Sequence, residues 1–305
     1  MYALRLGLMF AALNALSPSA APLRVMRVHP AENADPVTEI TVTFDRPVAG
    51  LDADVAPERV FRIDPAVPGK LEWRDPVTLR LVPAAPLTPG ATYTITVLPE
   101  FTALDGSALA QPYRHTFRVK PTEVLFGEPV GPDGNARYLP ARPVLSVLVS
   151  GPADPREMAR RSFIAMGRSC NTSRIELDVV RVRRLDENDS WRMRYAGARG
   201  DLADTARDLR RVVELTPRSP MPLGCSGQLA LPVNLDPSSN HLTWAFTTYG
   251  PLRVDSVRCG YSGACPTGPV RVVFSTPVSG AEVQRHVKIA PSVPFTVNAG
   301  STTSE

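Results

Sequence analysis

The sequence predicts an all-β chain built as tandem antiparallel β-sandwiches, the third of them incomplete. Three observations carry this. The first is strict alternation: Ile40, Val42 and Phe44 oppose Thr41 and Thr43, Leu79 and Leu81 oppose Thr78 and Arg80, and Tyr93, Ile95 and Val97 oppose Thr92, Thr94 and Thr96. A period of two marks strands with one face on a core and one in water. The second is punctuation. The chain holds 32 prolines in 305 residues, about twice the usual share, and Pro68-Gly69 and Pro89-Gly90 stand between apolar runs as turn signals. The third is recurrence, because the same spacing of runs returns twice further along.

In chain order, residues 1–21 read as an export signal: Arg5, then the apolar run Leu6 to Leu16 broken only at Asn14, then Ser17, Ser19, Ala20 and Ala21. The run is too short to span a bilayer. Residues 22–119 form the first sandwich. Leu23, Val25 and Val28 lead in, and Ile40 to Phe44, Phe61 with Ile63, Leu71 to Trp73, Thr78 to Val82, Thr92 to Val97 and Tyr113 to Val119 are its strands. Trp73 is expected at the aromatic centre of its core. His115 shares the inward register of Phe117 and Val119 and is read as packed and hydrogen-bonded.

Residues 120–250 form a second, larger sandwich. Pro143 to Val149 takes the place of Ile40 to Phe44. Asp154-Pro155-Arg156-Glu157 fits a helix start that runs to about Arg161, with aspartate as cap and proline in the first turn. Ile175, Leu177 and Val179 alternate and then slip phase at Val180, which predicts a β-bulge. Trp191, Met193 and Tyr195 alternate as a further strand. Arg211 to Pro217 followed by Pro222-Leu223-Gly224 copies the spacing of Leu79 to Gly90, and His241 to Thr247 copies the closing strand. In residues 251–305, Leu252-Arg253-Val254 echoes Leu23-Arg24-Val25, and Val270 to Val278 parallels Ile40 to Val48. Counterparts of the Leu79, Tyr93 and Phe117 strands do not follow. The expectation is a truncated third domain with an open edge, in an N-terminal fragment of something longer.

Net charge is +4, and only Lys70, Lys120 and Lys288 are lysines. The arginines alternate along strands as solvated faces rather than forming a block, which argues against nucleic acid as a partner. No later run is long and apolar enough for a membrane helix. Cys170, Cys225, Cys259 and Cys265 make an even count, which reads as disulfides in an exported chain. Four cysteines allow three pairings, and Cys170–Cys225 with Cys259–Cys265 respects the domain limits. A zinc site lacks a C-x-x-C pair and nearby histidines. His29, His115, His241 and His286 lie far apart, no phosphate loop or triad motif is visible, and no catalytic, metal or cofactor-binding residue is assigned. The sequons at Asn171 and Asn188 are read as chance.

The first copy resembles the bacterial Ig-like domain of SbsA-type S-layer proteins, through Ile40 to Val48, Leu81 to Ile95, and Asp105-Gly106 with Tyr113 to Val119. The fold class is accordingly tandem Ig-like sandwiches. The order of export signal, one such module, a larger cysteine-bearing variant and a third start is similar to the N-terminus of bacterial α2-macroglobulin-family proteins. That resemblance implies a non-enzymatic, exported scaffold, periplasmic or at the cell surface. Its partners would be downstream domains of the parent chain and, through the full-length protein, target proteases. Family members trap proteases through a cleaved bait segment and often a Cys-x-Glu-Gln thioester. Cys225-Ser226-Gly227-Gln228 has the spacing but Gly227 in place of glutamate, and Gln228 spoils its likeness to a serine nucleophile elbow. The bait and thioester are therefore expected outside these residues. The other reading is an S-layer-like adhesion protein that binds carbohydrate or another cell-wall component, with Trp191 and Tyr195 as a stacking platform if they are not core.

Overall fold

The computed structural model describes residues 21–49, 56–130, 138–198, 207–259 and 269–297. The chain divides into two compact units, and strands dominate both.

The first copy, most of which makes up the first unit, contains β1 (Val25–His29), β2 (Asn33–Ala34), β3 (Ile40–Phe44), β4 (Phe61–Asp64), β5 (Gly69–Asp75), β6 (Thr78–Pro83), β7 (Thr92–Val97) and β8 (Tyr113–Val119). They form two four-stranded sheets, ordered β1-β3-β6-β5 and β2-β8-β7-β4. The alternation seen in the sequence is the burial pattern. Ile40, Val42, Phe44, Leu81, Tyr93, Ile95, Val97, Phe117 and Val119 are buried, whereas Thr41, Thr43 and Thr92 are not. Tyr93 stacks on Phe117 with ring centroids 5.6 Å apart, and Phe44 meets Phe101 edge-on at 5.6 Å. Trp73 is not the centre expected of it. It lies 6.2 Å from Phe44 and is only half buried, because β5 is an edge strand and its side chains line the rim. Gly90 adopts a positive φ of 76° in the turn before β7, a backbone conformation that glycine takes without a Cβ clash.

The second unit repeats this plan. Its elements are β9 (Val124–Phe126), β10 (Tyr138–Leu139), β11 (Leu145–Val149), α1 (Pro155–Arg161), β12 (Phe163–Met166), β13 (Arg174–Arg183), α2 (Trp191–Ala198), β14 (Arg211–Pro217), β15 (Ser226–Pro232) and β16 (His241–Thr248). The order β9-β11-β14-β13 copies β1-β3-β6-β5, and β10-β16-β15-β12 copies β2-β8-β7-β4. Gly224, with φ of 66°, sits where Gly90 sits in the first copy. One difference joins the halves into a single eight-stranded sheet. The beginning of the long strand β13 pairs with β12, Ala165 opposite Arg174, and its remainder pairs with β14. The expected bulge is present, with the register of β13 on β14 shifting between Val179 and Arg181. The α1 helix starts as its sequence predicts, Asp154 accepting a hydrogen bond from the Arg156 amide at 2.9 Å.

A third leading pair follows: β17 (Val254–Cys259) and β18 (Val270–Phe274), with α3 (Gly280–His286) after it. All three leading pairs share one fastening. At the end of the second strand a residue donates its amide to a carbonyl on the first strand's lead-in, and its side-chain oxygen accepts the amide of that same partner. The residues are Asp45 with Arg24, Ser150 with Glu123, and Ser275 with Arg253. Each pair also has a register irregularity at the same step: Val25/Arg27, Leu148/Val149 and Val254/Ser256. The architecture is thus tandem Ig-like sandwiches, followed among the described residues by this hairpin and its helix.

Burial predicts a sharp contrast between copies. Phe117→Ala, which empties a buried aromatic site, should cost about 3–5 kcal/mol of stability in a urea titration. Leu252→Ala, at a side chain that is 62% exposed, should stay within about 0.5 kcal/mol of the parent.

Candidate functional site

The residues that sequence reasoning marked fall in separate places. Cys170 lies in the turn after β12 and Cys225 just before β15, and the two are bridged, with Cα atoms 6.2 Å apart. Thr248 secures this end of the sheet. Its buried hydroxyl accepts the Cys225 amide at 2.8 Å and donates to the Pro222 carbonyl at 2.6 Å. Cys259 is also disulfide-bonded, while Cys265 lies outside the described residues.

The Cys225-Ser226-Gly227-Gln228 stretch has an ordinary structural role. The Cys225 sulfur is committed to the bridge and cannot form a thioester. Gly227 points into the core, where an added Cβ would come within 2.8 Å of the Phe246 ring and 3.1 Å of the Met166 sulfur. The glycine is there to admit Phe246, not to sharpen a nucleophile turn. Ser226 and Gln228 face outward beside a groove of about 460 Å3, shared with Ala165, Gly167, Ala245 and Thr247. No ionisable side chain lines that groove.

The histidines are also dispersed. His115 donates from Nε2 to the Pro30 carbonyl at 2.8 Å, and His241 to the Arg161 carbonyl at 2.8 Å. His29 contacts the Thr38 hydroxyl, and His286 the Glu282 carbonyl. Among the described residues no three His, Cys, Asp or Glu side chains gather as metal ligands would.

Two clusters concentrate charge. In the second unit, β13 and β14 present Arg181, Arg183 and Glu214 on the sheet face away from the main core. Glu214 receives Arg181 Nε at 2.7 Å and Arg183 Nε at 2.7 Å. Arg183 also grips Asp189 through two bonds of 2.7 and 2.6 Å. Both carboxylates are almost fully buried. The guanidinium of Arg181, then that of Arg183, holds the Glu214 carboxyl below its usual range, and Arg183 does the same for Asp189, in each case against the opposing effect of burial. Carboxylates so neutralised are poor general bases, since catalysis at neutral pH needs a proton affinity that is raised rather than lowered. The network instead joins β13 and β14 to the loop before α2. Beneath that helix Met193 packs with Leu148 and Val212. Gly197 allows the close approach, because a Cβ there would meet Leu185 at 2.8 Å.

In the first unit, Arg46 bridges Asp45 and Asp105 at 2.9 and 2.8 Å. Asp105 is held down to about 2, first by the Ser107 hydroxyl and amide that donate to it and then by Arg46. This ties the loop around Asp105-Gly106 to the end of β3.

One sequence expectation is overturned here. Trp191, Met193 and Tyr195 are not strand residues. They lie on α2, where Ser190 Oγ accepts the Met193 amide at 3.2 Å as a cap. Spacing of four therefore replaces spacing of two. Met193 and Gly197 face inward, whereas Trp191 and Tyr195 share the outer side at 67% and 57% exposure. Arg192 lies over the Trp191 ring and pairs with Glu128 at 2.7 Å. The buried arginine–carboxylate network was not singled out from the sequence. The only signal was the alternation of Arg181 and Arg183, which reads equally well as a solvated strand face.

Comparison with known proteins adds the following. Residues 19–119 match the family model described as a bacterial Ig-like domain. Nothing matches among curated proteins. Among solved structures, L,D-transpeptidase 3 of Mycobacterium tuberculosis, as a faropenem-derived adduct, is similar at 21% identity and a TM-score of 0.26. That match covers 52% of this chain, which spans 64% of the transpeptidase chain. Native α2-macroglobulin of Escherichia coli, spanning domains MG0-NIE-MG1, is similar at 16% identity and a TM-score of 0.27 over 80% of this chain and 76% of that one. The N-terminal part of the bacterial S-layer protein SbsC is similar at 14% identity and a TM-score of 0.26, over 75% and 44%.

Three outcomes follow from this geometry. Glu214→Gln leaves the largely buried Arg183 facing a neutral amide, while Arg181 stays mostly in water, and should cost about 1–3 kcal/mol in denaturant titrations. The lowered carboxyls make the fold acid-labile, since the unfolded chain binds protons at higher pH than the folded one. For Asp105 the contribution is complete above about pH 4 and is lost as pH falls toward about 2. Tm measured from pH 5 to pH 2 should fall with Asp105 intact and fall less in Asp105→Asn. Replacing both Cys170 and Cys225 by alanine opens a loop of 55-residue separation and should cost about 4 kcal/mol on the chain-entropy account, read by the same denaturation.

Proposed function

We propose that this chain is the non-catalytic, exported scaffold at the N-terminal front of an α2-macroglobulin-like endopeptidase inhibitor, with bait and thioester chemistry carried outside it. The observation that carries the reading is the repetition of one bulged, fastened strand pair through the chain, at Asp45, Ser150 and Ser275. Repetition of one packing unit suits spacing and presentation, because each of the two complete copies closes its own core.

Two further observations support it. The cysteine with the thioester spacing, Cys225, is bound to Cys170, so a thioester would have to use a different cysteine. The charged clusters are internally neutralised and hold loops to strands. Export fits the apolar leader after Arg5, the disulfides at Cys170 and Cys259 and the bacterial Ig-like match, since such bridges persist in oxidising compartments. No helix among the described residues is long and apolar enough to cross a membrane. The proposed partners are later domains of the same protein and, through them, target proteases.

A second reading, an S-layer-like surface protein that binds cell-wall carbohydrate, is favoured by one observation, the outward Trp191 and Tyr195 on α2. Aromatic rings with one wet face are suited to stacking on sugars or on other flat groups.

The test uses the purified chain and a panel of endopeptidases of different specificity. With equimolar chain, hydrolysis of both a small peptide substrate and a large protein substrate should continue at the rate of the free protease. Stoichiometric loss of activity on the large substrate, or a covalent chain–protease adduct by mass, would overturn the scaffold reading. Retention on insoluble cell-wall polysaccharide that is lost in Trp191→Ala would favour the surface-protein reading.

A further inference from the structure

The outer face of β12, β15 and β16 carries a groove of about 460 Å3, a volume within the range of small-molecule sites. Strand register builds its floor. Ala165 pairs with Gln228 and Gln228 with Ala245, which makes one outward row across three strands. Ser226 pairs with Thr247, and Gly167 donates its amide to the Ser226 carbonyl at 2.8 Å, which makes the next outward row. Small side chains on the central strands leave a trough between bulkier margins. At one margin Tyr138 pairs with Thr247, and it faces outward because its neighbour Leu139 is buried. Its ring is 44% exposed and stacks on Tyr249 at 5.8 Å. At the other margin Arg174 pairs with Ala165, its guanidinium packed 3.8 Å over the Phe163 ring.

The polar lining is of one chemical type. Ser226, Gln228 and Thr247 bring hydroxyls and a primary amide, groups that both donate and accept hydrogen bonds. Among the described residues, none of these three side chains is hydrogen-bonded to the protein. The groove has no ionisable lining, so a phosphate or carboxylate would be desolvated there without a countercharge, which is costly. An extended peptide gains affinity by adding main-chain bonds at a sheet edge, whereas β15 lies between β12 and β16 with both its edges paired. A neutral polyhydroxylated ligand is complementary. Its hydroxyls also donate and accept, and its C–H faces can stack on an aromatic ring such as that of Tyr138.

We propose that this groove is a binding site for a neutral glycan, with Ser226, Gln228 and Thr247 hydrogen-bonding its hydroxyls and Tyr138 flanking a sugar face. Ala165, Gly167 and Ala245 set the clearance, because a larger side chain at any of them would fill the trough. The site is distinct from the outward aromatic pair on α2, a helix that packs on Leu148 of β11 and Val212 of β14 instead. Glycan binding here is compatible with either role proposed above, since attachment to a glycan would hold a scaffold or a surface protein to its surroundings.

The experiment titrates the isotopically labelled full chain with maltohexaose, cellohexaose and N-acetylchitohexaose and follows amide chemical shifts. At least one of the three should give saturable shifts in residues 165–167, 226–228 and 245–247, with a Kd no weaker than about 1 mM. Gln228→Ala and Tyr138→Ala should each weaken that binding about three- to tenfold, the effect of losing one hydrogen bond or one ring contact. Ala245→Arg, at an exposed position, should fill the groove and abolish the shifts while the chain keeps the Tm of the parent. Trp191→Ala should leave them unchanged. The proposal is overturned if no oligosaccharide gives saturable shifts, if binding survives Ala245→Arg, or if the shifts centre on α2 and vanish in Trp191→Ala. A dimer mass in sedimentation that Ala245→Arg removes would also overturn it, by assigning the groove to a second copy of the chain.

Discussion

The structure depends on one arrangement: a bulged antiparallel strand pair fastened where it opens by a reciprocal pair of hydrogen bonds. The main chain of Asp45, Ser150 or Ser275 donates to a carbonyl on the lead-in strand, and its side-chain oxygen accepts the partner's amide. Two bonds at one point fix both the separation and the phase of the strands, so the apolar alternation that follows must face one way. In the first copy that phase buries Ile40, Val42 and Phe44. In the second it buries Leu145, Val147 and Val149.

From this common start the copies diverge by additions. The second gains α1 and α2, and its strand β13 is long enough to pair with β12 and then β14, linking its two half-sheets. The α2 layer covers the face of β11 and β14 that carries Leu148 and Val212, so these strands are buried on both sides and read as nearly continuous apolar runs. Burying that face also encloses Glu214 and Asp189, which is tolerable because Arg181 and Arg183 neutralise them. The result is a module in which these buried carboxylates hold a loop to two strands.

Much of this was legible in the residues alone. Strands β3, β6, β7 and β8, the cap at Asp154, the bulge near Val180 and the repeat of Ile40–Val48 at Val270–Val278 all follow from local pattern, because period, turn chemistry and capping act over a few residues. What escaped notice depends on neighbours distant in sequence. The pairing of Ala165 with Arg174 joins two edges that no local signal distinguishes from free ones. Trp191-x-Met193-x-Tyr195 satisfies a period of two, and only the Ser190 cap with Met193 and Gly197 turned inward selects the helix. Trp73 has the size of a core centre, but its edge strand puts it at the rim. The fastening at Ser150 and Ser275 was hidden because serine and aspartate at a strand end look like ordinary turn residues.

The most direct measurement of the central claim is a set of through-hydrogen-bond scalar couplings in isotopically labelled protein, between the amide nitrogens of Asp45, Ser150 and Ser275 and the carbonyl carbons of Arg24, Glu123 and Arg253. The account predicts a resolvable coupling at all three sites. A coupling at Asp45 with none at Ser150 and Ser275 would contradict it, because the second and third segments would then be organised by something other than the shared strand pair.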